Sequence, residues 1–252
     1  MANERLYEWL DSQMSNMFYT SNNPHEVPEY IKANLKDELR HYQEEAFRRF
    51  QFIQDDNLIA GISNAGFQRK QLLFNMATGS GKTMVMASLM LYLYKEFNYQ
   101  NFIFIVNTDA IIKKTQENML NSQSNKYLFN PNGISIDGEQ IMIQPVDNFP
   151  AFKDKNTIYL KLTTIQKIHG ELIKPRENGI SLESLEEEDI IILGDEAHHF
   201  NASTKDEKKN KESWEKTIVD KMLYLRDGNK LLEFSATINM DCLLYTSPSP
   251  RD

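Results

Sequence analysis

Short apolar runs alternate along this chain with longer segments in which apolar residues recur at helical spacing. The runs predict strands at Gln71–Asn75, Asn101–Val106, Gln140–Gln144, Thr157–Leu162, Asp189–Leu193 and Lys230–Phe234. The intervening segments predict helices at Lys82–Phe97, Ala110–Leu120, Thr164–Lys174 and Ser213–Arg226. Because the strands are apolar at successive positions, both of their faces should be covered by helices. The predicted class is α/β, with a mostly parallel sheet between two helical layers.

The two ends of the chain differ from this alternating region. Residues 1–60 form a helical N-terminal segment in our prediction, with aromatic-rich helices at Leu6–Met17 and Leu39–Ile53 packed against the edge of the sheet. We assign 61–241 to the α/β domain and expect its polar stretch 201–216 to be a solvated loop. Residues 242–252 resemble a translated sequencing adapter, the alternative being a disordered Ser/Pro tail.

Composition limits the classes of protein to which the chain can belong. No apolar stretch is long enough for a membrane span and no signal core follows Met1, so we expect a cytoplasmic protein without a membrane partner. The single cysteine, Cys242, excludes an internal disulfide framework and a multi-cysteine zinc site. The net charge of -8 argues against a surface that binds nucleic acid everywhere, and it leaves room only for a local basic strip.

A glycine-containing loop between a strand and a helix is the strongest chemical signal. Residues 76–83 read Met-Ala-Thr-Gly-Ser-Gly-Lys-Thr, and this context is typical of a loop whose backbone N–H groups cradle phosphates. Lys82 would neutralise the β and γ phosphates and Thr83 would offer its hydroxyl to Mg²⁺. Met76 departs from the commonest pattern, which has glycine there. The residues predicted to contact the nucleotide in this loop are Thr78, Gly79, Ser80, Gly81, Lys82 and Thr83.

A second signal is an apolar strand that ends in two carboxylates. In Ile-Ile-Leu-Gly-Asp-Glu-Ala-His-His-Phe, Asp195 could hold the magnesium ion and Glu196 could orient and deprotonate an attacking water. The adjacent His198 and His199 could instead be metal ligands, but they project in different directions and no cysteine supports them. A hydrogen bond that reports the nucleotide state is the role we favour for His198. Ser235 and Thr237, at the end of another strand, are by themselves typical of a turn or cap.

In this order and spacing, the phosphate loop, Asp-Glu-Ala-His and Ser-Ala-Thr resemble the first motor domain of superfamily 2 helicases, a RecA-like fold. The run Asp-Glu-Ala-His-His-Phe-Asn, the later Ser-Trp-Glu and Glu-Phe-Ser-Ala-Thr are similar in particular to restriction subunits of type III-like restriction endonucleases. This resemblance covers roughly residues 36–241. It implies an enzyme that couples ATP hydrolysis, with Mg²⁺, to movement on DNA.

The resemblance also implies roles for residues that spacing alone leaves open. Gln43 would read the adenine edge, and His198, Ser235 and Thr237 would couple nucleotide state to neighbouring motifs. Contacts to the nucleic-acid backbone would come from Asn107, Thr108, Thr163, Thr164 and Gln166. Thr163, Thr164 and Gln166 could equally be caps, Gln43 could lie on a helix surface, and the basic side chains on the following helices could be plain solvated lysines. Those lysines are Lys113, Lys114, Lys167 and Lys174.

A complete motor of this family would need more than these residues. A second RecA-like domain would supply arginine fingers, and a methyltransferase partner would recognise the DNA site. We therefore expect this chain alone to bind Mg-ATP weakly and to hydrolyse it very slowly. A stand-alone DNA or RNA helicase, or a nucleotide-dependent switch or binding module, remains an alternative.

Overall fold

The computed structural model of the chain describes residues 6–18, 26–56, 59–64, 69–174, 179–195 and 217–236. The strands in these ranges are β1 (Gln71–Asn75), β2 (Asn101–Val106), β3 (Ile134–Ile136), β4 (Glu139–Pro145), β5 (Thr157–Thr164), β6 (Ile190–Asp195) and β7 (Lys230–Ser235). They form one seven-stranded sheet in the order β1-β7-β6-β2-β5-β4-β3. Every pairing is parallel except that of β3 with β4, which is antiparallel. The predicted α/β class and mostly parallel sheet are confirmed.

Helices lie on both sides of this sheet. Those described are α1 (Leu6–Phe18), α2 (Glu29–Asn34), α3 (His41–Gln54), α4 (Ile59–Asn64), α5 (Lys82–Phe97), α6 (Asp109–Leu120), α7 (Ile165–Ile173) and α8 (Leu182–Glu186). Before β7, residues Thr217–Met222 form a π-helical turn that continues into a 3₁₀ turn, Leu223–Leu225. No helix in the described part of the chain is both long and apolar enough to cross a membrane.

The central strand β2 shows how the sheet divides the core. All six of its side chains are buried. Phe102, Phe104 and Val106 belong to one hydrophobic cluster, whereas Ile103 and Ile105 belong to another. Because successive strand residues point to opposite faces, the two clusters lie on opposite sides of the sheet. The first face carries apolar residues of α1, α2, α3, α5 and α6, and the second carries those of α7, α8 and the turns before β7.

The observed elements follow the sequence pattern closely where that pattern is long. Strands β1 and β2 and helix α5 begin and end at the predicted residues. Four elements were not predicted: β3, α2, α4 and α8, which have only three, six, six and five residues. The predicted helix 213–226 is described only from residue 217, where it is a π-helical and then a 3₁₀ turn. The predicted loop 201–216 and tail 242–252 lie outside the described residues.

The N-terminal segment completes one edge of the sheet. The buried Asn34 side chain accepts a hydrogen bond from the Ser135 backbone N–H and donates one to the Ser135 carbonyl, each at 2.7 Å. Ser135 lies in β3, the last strand on this side of the sheet among the residues that the structure describes. The Asn34 amide therefore takes the place of one strand residue and satisfies polar groups that an open edge would leave exposed to pairing with another chain.

We predict that Asn34→Ala lowers the free energy of unfolding by about 1–3 kcal/mol, because it leaves both Ser135 backbone groups without these partners. Urea unfolding measures this loss, and amide hydrogen exchange at Ser135 should become faster. Asn132→Ala, which removes an exposed amide from the loop before β3, is the matched control. Equal stability of the two variants would contradict this role of Asn34.

Candidate nucleotide site and nucleic-acid interface

The predicted phosphate loop connects β1 to α5 and takes a tight, left-handed course. Gly79 and Gly81 have φ angles of 76° and 79°, a region that side chains with a Cβ rarely adopt. Gly81 is the N-cap of α5, and Lys82 and Thr83 form the first turn of that helix. Two left-handed glycines beside a helix N-terminus turn successive N–H groups into one concavity. The loop thus has the backbone geometry of an anion cradle.

Helix α3 supports this loop from behind through the amide of Gln43. The Gln43 Nε2 donates hydrogen bonds to the carbonyl oxygens of Ser80 at 2.8 Å and Gly81 at 3.4 Å. Its Oε1 accepts a hydrogen bond from the Arg40 backbone N–H at 2.8 Å. Gln43 is only 5% exposed, and both the oxygen and the nitrogen of its amide are hydrogen-bonded to backbone groups. Adenine reading by Gln43 stays a prediction, and it would require the side chain to exchange these bonds for bonds to the base.

Tyr42 adds a second tie between α3 and the loop. Its hydroxyl donates a hydrogen bond to the Ser80 carbonyl at 3.0 Å and accepts one from Arg40 Nη1 at 3.0 Å. The Gln43 amide leaves no room for a larger residue at position 81, since a Cβ on Gly81 would lie 2.5 Å from Gln43 Nε2. A Cβ on Gly79 would have no atom within 4 Å. Both positions therefore favour glycine through their positive φ, and Gly81 is also restricted by its contact with Gln43.

Strand register brings Asp195 to the same edge of the sheet. β7 lies between β1 and β6, and Phe234 pairs with Phe74 of β1 and with Asp195 of β6. The phosphate loop begins at Met76, whose N–H donates to the Ser235 carbonyl at 2.9 Å. Asp195 shares the strand parity of Ile191 and Leu193, which belong to the same core face as α5. The strands that lead into the phosphate loop and end in Asp195, β1 and β6, are two strand spacings apart, roughly 10 Å across the sheet.

Three predicted residues of this site, Glu196, His198 and Thr237, lie outside the described residues. Ser235 is described and buried, at the end of β7 beside the start of the loop. Thr78 is exposed and Thr83 is half-buried, while Lys82 is 7% exposed. Within the described ranges, no three His, Cys, Asp or Glu side chains are grouped so that they could hold a metal ion.

The predicted nucleic-acid contacts follow two neighbouring strands, β2 and β5, at the same edge. Val106 and Thr164 are register partners at the ends of these strands. Thr108 and Thr164 cap α6 and α7, their hydroxyls accepting from Ile111 N–H at 3.4 Å and Lys167 N–H at 3.3 Å. The capping alternative therefore holds for Thr164, although a cap does not exclude a phosphate contact.

Exposure separates the members of this group. Thr108 and Gln166 are exposed and Asn107 is half-buried, so their polar atoms can reach a ligand at the edge. Thr163 is 2% exposed, and its hydroxyl donates to the Thr164 carbonyl at 3.3 Å. Accessible polar groups at this edge thus come from Asn107, Thr108 and Gln166, whereas the Thr163 side chain is buried.

A buried ion pair beneath α7 was not predicted from the sequence. Lys161, on β5, has 5% side-chain exposure, and its Nζ lies 3.0 Å from Glu171 Oε2 and 2.6 Å from the Asp147 carbonyl. Glu171 belongs to α7, so the pair fastens this helix to the sheet. An apolar run containing one lysine was the only signal, and it does not say which carboxylate the lysine meets.

The chain is similar to a known protein family, to a named relative and to a solved structure. The family described as type III restriction enzyme, res subunit, matches residues 36–240. The probable type III restriction-modification enzyme HindVIP Res subunit of Haemophilus influenzae is 33% identical, over 94% of this chain and 50% of the relative. The chain therefore spans about half the length of that relative. The crystal structure of the Pyrococcus furiosus Hef helicase domain is 18% identical with a TM-score of 0.42, over 79% of this chain and 33% of that chain.

The match between the family and residues 36–240 accounts for most of the chain and includes the phosphate loop, Asp195 and Ser235. It confirms the resemblance inferred from the motifs. This chain belongs to the type III restriction enzyme Res-subunit family.

Proposed function

We propose that this chain is the ATP-binding first motor domain of a DNA translocase, and that it acts as part of a type III-like restriction endonuclease. One observation carries the proposal: β1, which leads into the phosphate loop, and β6, which ends in Asp195, both pair with β7 so that loop and carboxylate lie at one edge of the sheet, and Asp195 is on the face that packs against α5. In open α/β sheets, ligands bind outside the carboxyl ends of the strands. The Res-subunit family membership supports ATP-driven movement on DNA as the use of this site.

The loop residues fit the triphosphate of a nucleotide. Left-handed Gly79 and Gly81 keep side chains out of the cradle, and the N-terminus of the sixteen-residue α5 contributes its partial positive charge. The Ser80 hydroxyl is buried and has no hydrogen-bond partner among the described residues, so it can serve a ligand. Lys82, the first residue of α5, would neutralise the β and γ phosphates. These features fit ATP as the substrate.

Oxygen donors at the same edge fit a magnesium ion. The Thr83 hydroxyl and the Asp195 carboxylate are hard oxygen ligands of the kind that Mg²⁺ prefers, and Mg²⁺ would supply charge neutralisation at the phosphates. Glu196, the next residue after Asp195, would orient and deprotonate the attacking water. His198, Ser235 and Thr237 would link the state of this site to the rest of the motor.

The partners and the slow turnover of this chain alone are further parts of the proposal. DNA would run across the ends of β2 and β5, where Asn107, Thr108 and Gln166 offer polar groups to phosphates without reading bases. A methyltransferase subunit would provide site recognition, as Res-subunit membership suggests. Without arginine fingers from a second domain, hydrolysis should be slower by roughly a thousandfold or more. Cytoplasmic localisation stays a prediction.

Replacing Lys82 with Ala tests the nucleotide site directly. We expect Mg-ATP affinity to fall by about tenfold or more, because a charge-assisted contact to the phosphates is lost. Titration calorimetry measures the change. Lys155→Ala removes the same charge from an exposed position before β5, at the opposite edge of the sheet, and should leave affinity unchanged. Unchanged affinity in Lys82→Ala would overturn the proposed site.

The contact between Gln43 and Gly81 is tested by a double-mutant cycle. We expect Gly79→Ala to cost about 1 kcal/mol of unfolding free energy through backbone strain alone, and Gly81→Ala to cost more, because its Cβ displaces Gln43. In a Gln43→Ala background, the difference between the two glycine variants should disappear. Urea unfolding without nucleotide provides all the values. A difference that persists without the Gln43 amide would show that this side chain does not support the loop.

The adenine role of Gln43 has a separate readout. If Gln43 exchanges its backbone bonds for bonds to the base, Gln43→Ala should lower affinity for Mg-ATP more than for Mg-GTP. Competition binding with both nucleotides measures the ratio. An equal loss for both would assign Gln43 to the loop alone and would end its adenine role.

A further inference from the structure

A salt bridge joins the N-termini of α6 and α7 at the proposed DNA-binding edge. The Lys167 Nζ lies 2.7 Å from Asp109 Oδ1, with side-chain exposures of 53% and 66%. Asp109 is the first residue of α6 and Lys167 is in the first turn of α7, each three positions beyond the register partners Val106 and Thr164. The pair therefore spans the gap between the helix N-termini along which a nucleic-acid backbone would pass.

Lys167 lies in the first turn of α7, where a lysine does not stabilise its own helix. A helix N-terminus carries partial positive charge, so a cation in the first turn is unfavourable and an anion is favourable. The first turn of α7 has no acidic residue. The negative charge that makes the position favourable comes from Asp109, fifty-eight residues away in sequence. A carboxylate of this chain thus fills the place where two helix ends and a lysine would otherwise attract an external anion.

The charged side chains near Asp109 provide no other carboxylate for Lys167 in the described part of this edge. The exposed side chains Lys113 and Lys114 follow it on α6 and add positive charge to the same helix. On α7, Glu171 is the acidic residue, and its carboxylate is paired with the buried Lys161. Asp109 is therefore the carboxylate that meets Lys167 in the described part of this edge.

From this geometry we infer that Asp109 is an internal competitor for the DNA phosphates: it holds Lys167 until a phosphate replaces its carboxylate. The inference rests on the proposed DNA-binding function and identifies Asp109 as a residue that lowers the affinity for DNA. Binding exchanges one ion pair for another, so Lys167 contributes less to affinity than an unpaired lysine would. A translocating protein must release each phosphate that it has bound, and a competing carboxylate at the contact favours that release.

The variants Asp109→Asn, Lys167→Gln and their combination test this exchange. We expect Asp109→Asn to bind labelled oligothymidylate and a labelled mixed-sequence duplex about fivefold more tightly than the parent chain, by fluorescence anisotropy at low salt. The slope of log affinity against log salt should increase in magnitude by about one, because a freed Lys167 now neutralises a phosphate. With Lys167→Gln present, Asp109→Asn should have no further effect.

Glu29→Gln is the matched control, because it removes one carboxylate from an exposed lysine pair, Lys32–Glu29, elsewhere on the molecule. Circular dichroism melting of every variant checks that it is folded. Equal tightening by Glu29→Gln and Asp109→Asn, or tightening by Asp109→Asn that survives Lys167→Gln, would overturn the competitor role alone. Absence of nucleic-acid binding by every folded variant, with Mg-ATP binding intact, would overturn the proposed DNA function and this inference with it.

Discussion

Parallel pairing of β1, β7 and β6 is the constraint on which the proposed site depends. The ladder places Leu232 of β7 opposite Leu72 of β1 and Leu193 of β6. All three leucines are buried in one core cluster, so a shift of any strand would expose apolar surface. Because strand side chains alternate between faces, a shift of β6 by one residue would also move Asp195 to the face opposite α5. Packing of the leucines and chemistry at the edge are therefore fixed together.

The N-terminal helices contribute to both ends of this arrangement. Asn34 satisfies backbone groups of the edge strand β3, and Gln43 holds the carbonyl groups of the phosphate loop. Apolar residues of α1, α2 and α3 share the core cluster that lies under α5. A nucleotide that moved the loop would therefore also move α3 or break its hydrogen bonds to the loop. The segment before β1 is in this way connected to the proposed site.

Sequence patterns predicted the elements whose periodicity extends over several residues, and they located the phosphate loop and Asp195. Strand β3 was missed because three residues carry too little alternation to be recognised. The direction of the Gln43 amide could not be predicted, since the same motif allows it to face a base or the backbone of the loop. The pairs Lys161–Glu171 and Lys167–Asp109 depend on how helices pack on the sheet, and one-dimensional spacing does not contain that information.

In the proposed site, the phosphate loop and Asp195 share one metal-bound triphosphate. Calorimetric titration of ATP in Mg²⁺ and in EDTA, on the parent chain and on Asp195→Asn, measures whether they do. Mg²⁺ should strengthen ATP binding to the parent chain, and Asp195→Asn should lose this metal-dependent gain while keeping its metal-free affinity. An undiminished gain from Mg²⁺ in Asp195→Asn would show that Asp195 does not hold the metal and that the two groups do not form one site.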